Sequence, residues 1–482
     1  MTVTHSIAKN VAMQYASRII GTAFGLVTLS ILTRYLGAEG YGQFTVATSY
    51  LQFIGTLVDF GLTITAIQML SEAGADPSVD SGLAQGKILG NLIALRLVTA
   101  AIVFSAAIAV AFALPWGSAT HFAIAIGSFS FIFLSIHQIF VGLFQKSLRM
   151  EFPAISEVVG RAVLMAAVIL VAIFHGNLIE VMIGMSTANL AMVGLSLAFA
   201  KKIRPYSMRL DRDVIRQIFR RSWPIAISIM FNLIYLRGDV IVMKIVGRSE
   251  AEIGWYGAAY KPLDVITVIP IIFMGLVLPL FVHAWSTMDH AKVRRIIQRA
   301  IDAVGILAWP TLAGGIVLAT PLMLFISGPQ FAPSGPLLAL LVIAAFMVFY
   351  GSLFGHLIVG IGRQRVMTWI YATDAAISLA LYFIFIPRYG ATAAALVTIF
   401  SEAVIAIAAT TIVLATVKMH PSLKVTGKAL LAAAIMGIVV SFTPEIHVLL
   451  KILIGIIVYA ILLIALRAVT KDELKKLTNR AA

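Results

Sequence analysis

The sequence predicts an all-α polytopic membrane protein with about fourteen transmembrane helices in two related halves. Three observations lead there. The chain is 60% hydrophobic and 12% charged, with a mean hydropathy of +0.99, whereas soluble domains average about 25% charged residues. Apolar runs of about 20 residues or more, enough to cross a hydrocarbon core of about 30 Å, follow one another with short joints to near the end. Lipid offers the backbone no hydrogen-bond partners, so these runs close their own bonds as helices. Finally, one joint recurs: Arg34-Tyr35-Leu36-Gly37 before Gly40-Tyr41-Gly42 is echoed by Lys244-Ile245-Val246-Gly247 before Trp255-Tyr256-Gly257.

In chain order the spans are predicted over 11–34, 43–70, 88–113, 120–144, 155–174 and 179–200, then 222–246, 254–283, 302–326, 334–360, 367–387 and 391–417, and finally 425–443 and 447–467. The first is long enough to act as an uncleaved anchor and lacks a small-residue cleavage site. Its Gly21 and Gly25 have the spacing that lets helices approach closely. Span eight carries Pro262, Pro270 and Pro279 and span nine Pro310 and Pro321, so both are expected to break or bend, since each proline removes a backbone donor. The basic connection 201–221 divides the halves. Residues 1–205 form an N-terminal lobe of six spans, 206–420 a C-terminal lobe of six, and 421–482 an appended helix pair with its tail.

A net charge of +15 would suit nucleic acid, but its distribution does not. Most of the Lys and Arg lie in alternate joints, among them 201–221, 290–299 and the tail with Lys471, Lys475 and Lys476. That is the signature of cytoplasmic loops, and it puts both termini inside. No partner among nucleic acids is expected. The absence of Cys excludes disulfides and thiolate metal sites, and no cofactor, metal or enzymatic activity is expected because no joint could hold a catalytic domain.

Ionisable residues inside spans are the candidate functional groups, because burying each costs about 2.5–3.5 kcal/mol unless protein or a water-filled cavity receives it. Arg18, Asp59, Arg96 and Arg161 fall about 10–12 Å from the cytoplasmic ends of four different spans. Asp59 is expected to pair with Arg18, and the surplus of positive charge then predicts an anion-receptive cavity. Guanidinium forks match phosphate oxygens, which points to a pyrophosphate. Arg237 and Lys244 share a face of span seven, and Lys261 and Asp264 a face of span eight. Asp239 cannot face Arg237 at a spacing of two. Asp59, Asp239 and Asp264 are candidates for proton or cation coupling, or for pairing with nearby Arg or Lys. Asp374, Glu402, His137 and His356 are further buried ionisable groups.

These motifs, with Asp59-Phe60-Gly61, Tyr256 to Tyr260, Phe331-Ala332-Pro333-Ser334 and Ile386 to Gly390 before Ala393, resemble the Wzx-like polysaccharide-biosynthesis flippases. That family lies in the superfamily of the lipid II flippase and the multidrug and toxin extrusion transporters. The resemblance spans helices one to twelve. It implies a V-shaped transporter of two pseudo-symmetric lobes in the bacterial inner membrane, moving undecaprenyl-diphosphate-linked oligosaccharide of an O-antigen, exopolysaccharide or capsule pathway outward by alternating access. It also implies a cationic central cavity, in which Arg18, Arg96, Arg161, Arg237 and Lys261 are the candidates, and suggests polysaccharide polymerase machinery as a partner. Lipid II-type precursor transport and cation-coupled drug export are the alternatives. Arg18 argues against the latter, since most exported drugs are cationic.

Overall fold

The computed structural model describes residues 3–59, 61–75, 81–203, 206, 208 and 210–468. Among them every regular element is a helix: α1 (Val3–Asp59), α2 (Leu62–Ala75), α3 (Ser81–Ala113), α4 (Ser118–Lys146), α5 (Glu151–Ile173), α6 (Leu178–Ile203) and α7 (Arg212–Ile245). There follow α8 (Glu250–Ile266), α9 (Val268–Ser286), α10 (His290–Ser327), a 3₁₀ turn at Pro329–Phe331, α11 (Ser334–Gly360), α12 (Gln364–Val417), α13 (Lys424–Ser441) and α14 (Val448–Ala465). Eleven described stretches are long and apolar enough to cross a membrane. Two of them, Ser17–Asp59 and Gln364–Val417, run for 43 and 54 residues. At 1.5 Å per residue each exceeds one crossing about twofold. Both are kinked at a glycine: Gly37 at φ 66°, ψ −175° and Gly390 at φ 57°, ψ −137°, backbone conformations that a side chain disfavours.

Several elements differ from the sequence expectation. Span two is interrupted: α1 ends at Asp59, Gly61 takes φ 70°, and α2 begins at Leu62. The basic stretches 212–221 and 290–299 are not loops but the first turns of α7 and α10. Asp211 caps one, its carboxylate accepting from the Asp213 and Val214 amides, and Asp289 caps the other by accepting from the Lys292 amide at 2.9 Å. A hydrogen bond from Lys87, then those amides, hold the Asp211 carboxyl below the usual carboxylate range. Of the proline-bearing spans, eight does break, at Thr267 between α8 and α9, but α10 passes through Pro310 and Pro321 as one helix. The tail lysines lie outside the described residues.

Packing divides the chain into Met1–Gly254 and Trp255–Ala482. In the first unit α2, α3, α4, α6 and α7 meet in a core that includes Leu70, Leu92, Phe140, Phe144 and Ile218. The Ser222 hydroxyl ties α7 to Thr65 of α2 at 3.0 Å. The two related joints touch in this unit: a β-carbon on Gly42 would lie 1.8 Å from the Glu250 carbonyl oxygen. In the second unit α13 and α14 pack on α10 through Ala429, Ala433, Met436 and Leu463, and the Tyr459 hydroxyl donates to the Ile306 carbonyl at 2.8 Å. Outward-facing Ile102, Phe174, Ile384, Phe442 and Ile456 are exposed, a surface that water would penalise and lipid tails accept.

Candidate functional site

The broken second span ends in a polar knot. Arg96 of α3 is fully buried; its Nη2 donates to Asp59 Oδ1 at 2.6 Å and its Nη1 to the Val58 carbonyl at 2.9 Å. Val58 is in the last turn of α1, where carbonyls lack intrahelical donors, so Arg96 caps the helix as well as neutralising Asp59. Thr63, four residues after Asp59 and in the first turn of α2, donates to the same carboxylate oxygen at 2.6 Å. Asp59 therefore pairs with Arg96 and not with Arg18, and Arg96 is enclosed rather than presented to a cavity. The sequence placed all three at one depth. Which two meet depends on the rotation of each helix about its axis, which depth does not encode.

Arg161 and Arg18 present a different picture. Both are exposed, and neither has a carboxylate within 4 Å among the described residues. Arg161 of α5 lies across α1, its Nη1 donating to the Gly21 carbonyl at 2.9 Å. It fits because α1 has no side chain there: a β-carbon on Gly21 would stand 2.8 Å from Arg161 Cδ, and one on Gly25 3.4 Å from its Nη1. The small-residue spacing thus admits a guanidinium rather than only a neighbouring helix. Arg18 precedes Gly21 by three residues and Gly25 by seven, so all three share one face of α1. Two cations are gathered on a face stripped to backbone, and a carbonyl occupies only one of Arg161's donors.

The remaining candidates are distributed. Lys261 and Asp264 stand together, Nζ to Oδ2 3.8 Å, as their spacing predicts. Lys244 pairs with Glu250, and the buried Asp239 accepts from the Val240 amide at 2.7 Å. The Arg237 side chain lies outside the described residues. His356 bonds the Ser352 carbonyl within its own helix at 2.7 Å. Asp374 is buried in α12, accepts from Ser401, and lines a cavity of about 390 Å³ with Trp369, Thr373, Ile377 and Phe400. Thr63, Ser401 and the glycine seat of Arg161 were not singled out in the sequence as site residues. Their signal was a spacing of four from Asp59 for Thr63 and the Gly21/Gly25 pair opposite Arg161; Ser401 gave none, since its partner lies 27 residues away.

Comparison with known proteins follows the same lines. The chain is 24% identical over 372 residues to the succinoglycan biosynthesis transport protein ExoT of Rhizobium meliloti (strain 1021), covering 76% of this chain and 71% of that protein. Among solved structures, the lipid II flippase MurJ in an inward closed conformation superposes with a TM-score of 0.74 over 94% of this chain and 98% of its own, at 17% identity. The Vibrio cholerae MATE transporter VcmN, in its bent form, gives 0.57 over 87% of this chain and 98% of its own, at 14% identity. These structures share the fold. Residues 7–285, more than half of the sequence, match the profile of the family described as polysaccharide biosynthesis protein, and the chain belongs to that family.

Proposed function

We propose that this protein is a flippase carrying undecaprenyl-diphosphate-linked oligosaccharide, the repeat unit of an O-antigen, exopolysaccharide or capsule, across the bacterial cytoplasmic membrane by alternating access. The observation that carries the reading is the pair Arg18 and Arg161 on the glycine-bared face of α1, unmatched by any carboxylate within 4 Å among the described residues. Such a pair suits a diphosphate, whose oxygens accept parallel bonds from guanidinium forks. Arg96 is proposed to serve the site indirectly, by fixing the α1–α2 break. Arg237 and Lys261 are proposed as further cationic contacts. Asp59 and Asp264 stand beside cations, which supports charge pairing for them, and Asp239 is proposed for ion coupling or charge pairing. The lipid tail stays in the bilayer while the two lobes rock, both termini face the cytoplasm, and a polysaccharide polymerase receives the product. Relatedness to a succinoglycan transport protein supports the glycan class.

One observation favours a second reading, cation-coupled drug export: the Asp374 cavity combines a carboxylate with Trp369 and Phe400, a setting suited to an organic cation. Complementation separates the two. In a flippase-deficient bacterium, the Arg18→Gln/Arg161→Gln variant is expected to lose surface glycan while membrane abundance stays near wild type. Normal glycan display from that variant overturns the Arg18–Arg161 site, failure of the wild-type protein to restore display overturns the flippase reading, and drug resistance abolished by Asp374→Asn would install the other.

A further inference from the structure

Helices α4, α5 and α6 converge on a buried imidazole. His137 is 3% exposed, and its Nδ1 lies 2.8 Å from Ser196 Oγ. The Ser196 hydroxyl gives its own proton to the Met192 carbonyl at 3.0 Å. A hydroxyl has one proton to give, so the ring must be the donor in the first bond, and the hydrogen resides on Nδ1. Nε2 is then the ring nitrogen left without a hydrogen. It is buried, makes no hydrogen bond, and faces Glu157 Oε1 at 3.9 Å. A lone pair against a carboxylate is mismatched; an N–H⁺ there is matched.

Glu157 has a second partner within reach. It precedes Arg161 by four residues on α5, the spacing that puts two side chains on one face, and it is partly exposed and so able to turn. Here the two do not pair, since Arg161 rests on the Gly21 carbonyl. Of the other charges on helices packed around α4, Arg96 of α3 holds Asp59 of α1, Glu72 of α2 holds Arg221, and Lys201 and Lys202 are exposed at the end of α6. Arg18 shares the α1 face on which Arg161 rests. No carboxylate except Glu157 comes within 4 Å of the ring among the described residues.

We propose that His137 Nε2 is a proton-binding site that sets the affinity of Arg161 for the substrate diphosphate, with Glu157 as the part that moves. When the ring is protonated, the imidazolium holds Glu157 and Arg161 is open to the anion. When the ring is neutral, Glu157 turns to Arg161 and competes with the anion. Proton and diphosphate consequently favour each other's binding, as linkage requires of any coupled pair. The inference rests on Arg161 being a diphosphate contact, and Glu157 and His137 are positioning residues that act through it.

The test is binding of farnesyl diphosphate to the full-length protein in nanodiscs at about pH 6 and about pH 8, a change of about a hundredfold in proton concentration. Wild type is expected to bind about fivefold or more tightly at the lower pH. The probe's own ionisation works in the opposite direction, so it cannot produce that result. Glu157→Gln is expected to bind tightly at both values and His137→Gln weakly at both, with the double variant behaving as Glu157→Gln. Because Glu157 is partly exposed and Gln matches its size, that variant decides the matter even where His137→Gln fails to fold. A wild-type pH dependence in Glu157→Gln overturns the proton site. Arg161→Gln binding like wild type would instead overturn the underlying reading of Arg161.

Discussion

A guanidinium with no exposure is tolerable in a membrane protein only while its charge is met, and at Arg96 one carboxylate oxygen, one carbonyl and the Thr63 hydroxyl surround it. Removing one partner of such a pair costs about 3–5 kcal/mol, because a buried charge is left unmatched, while removing both costs less. Asp59→Asn is therefore expected to lower thermal stability and membrane abundance more than Asp59→Asn/Arg96→Gln does. Additive losses in that double-mutant cycle would contradict the pairing. At Arg161 the limit is steric. Gly21→Ala sets a methyl 2.8 Å from Arg161 Cδ, so it is expected to lower the melting temperature in the wild-type background but not in Arg161→Ala, where the obstacle is gone. A helix-packing role for Gly21 predicts equal losses in both. The residues themselves were legible from sequence, since a rise of 1.5 Å per residue places each charge in depth. Their partners were not, because Arg18 and Arg96 share that depth and only helix rotation separates them.

At the scale of elements, glycine and aspartate carry the architecture. Gly37 holds a conformation that is essentially confined to glycine, so Gly37→Ala is expected to destabilise by roughly 1–3 kcal/mol, read as a lowered melting temperature in nanodiscs. Asp289→Ala removes a cap and costs about 1 kcal/mol, a smaller shift by the same measurement. Reversal of that order would argue that the joint is not the tighter constraint. Apolar runs exposed the spans in the sequence but hid the polar helix starts at Arg212 and His290. There the signal was an Asp immediately before a basic stretch, which a search for lipid-crossing segments passes over. The interruption of span two is marked in the sequence only by Gly61, and a single glycine in an apolar run does not by itself require a break.

At the scale of the molecule, the all-α polytopic character followed from continuous apolar runs of about 20 residues, since of the two structures that close their backbone bonds in lipid only the helix needs a run that long. The pairing of related joints was also legible. Their contact was not, because a repeat says which segments correspond and not that Gly42 rests against Glu250. Reporter fusions at Ala119 are expected to read outside, with fusions after the tail reading cytoplasm, as the placement of Lys and Arg requires. The claim that joins these scales is that a diphosphate-linked glycan crosses by way of Arg18 and Arg161. The direct measurement is translocation of fluorescently tagged undecaprenyl-diphosphate oligosaccharide in proteoliposomes holding equal amounts of wild type or Arg18→Gln/Arg161→Gln. Each lost charge-assisted bond is worth about 1.5–3 kcal/mol, so the double variant is expected to slow translocation at least about tenfold. Equal rates from the two proteins would contradict it.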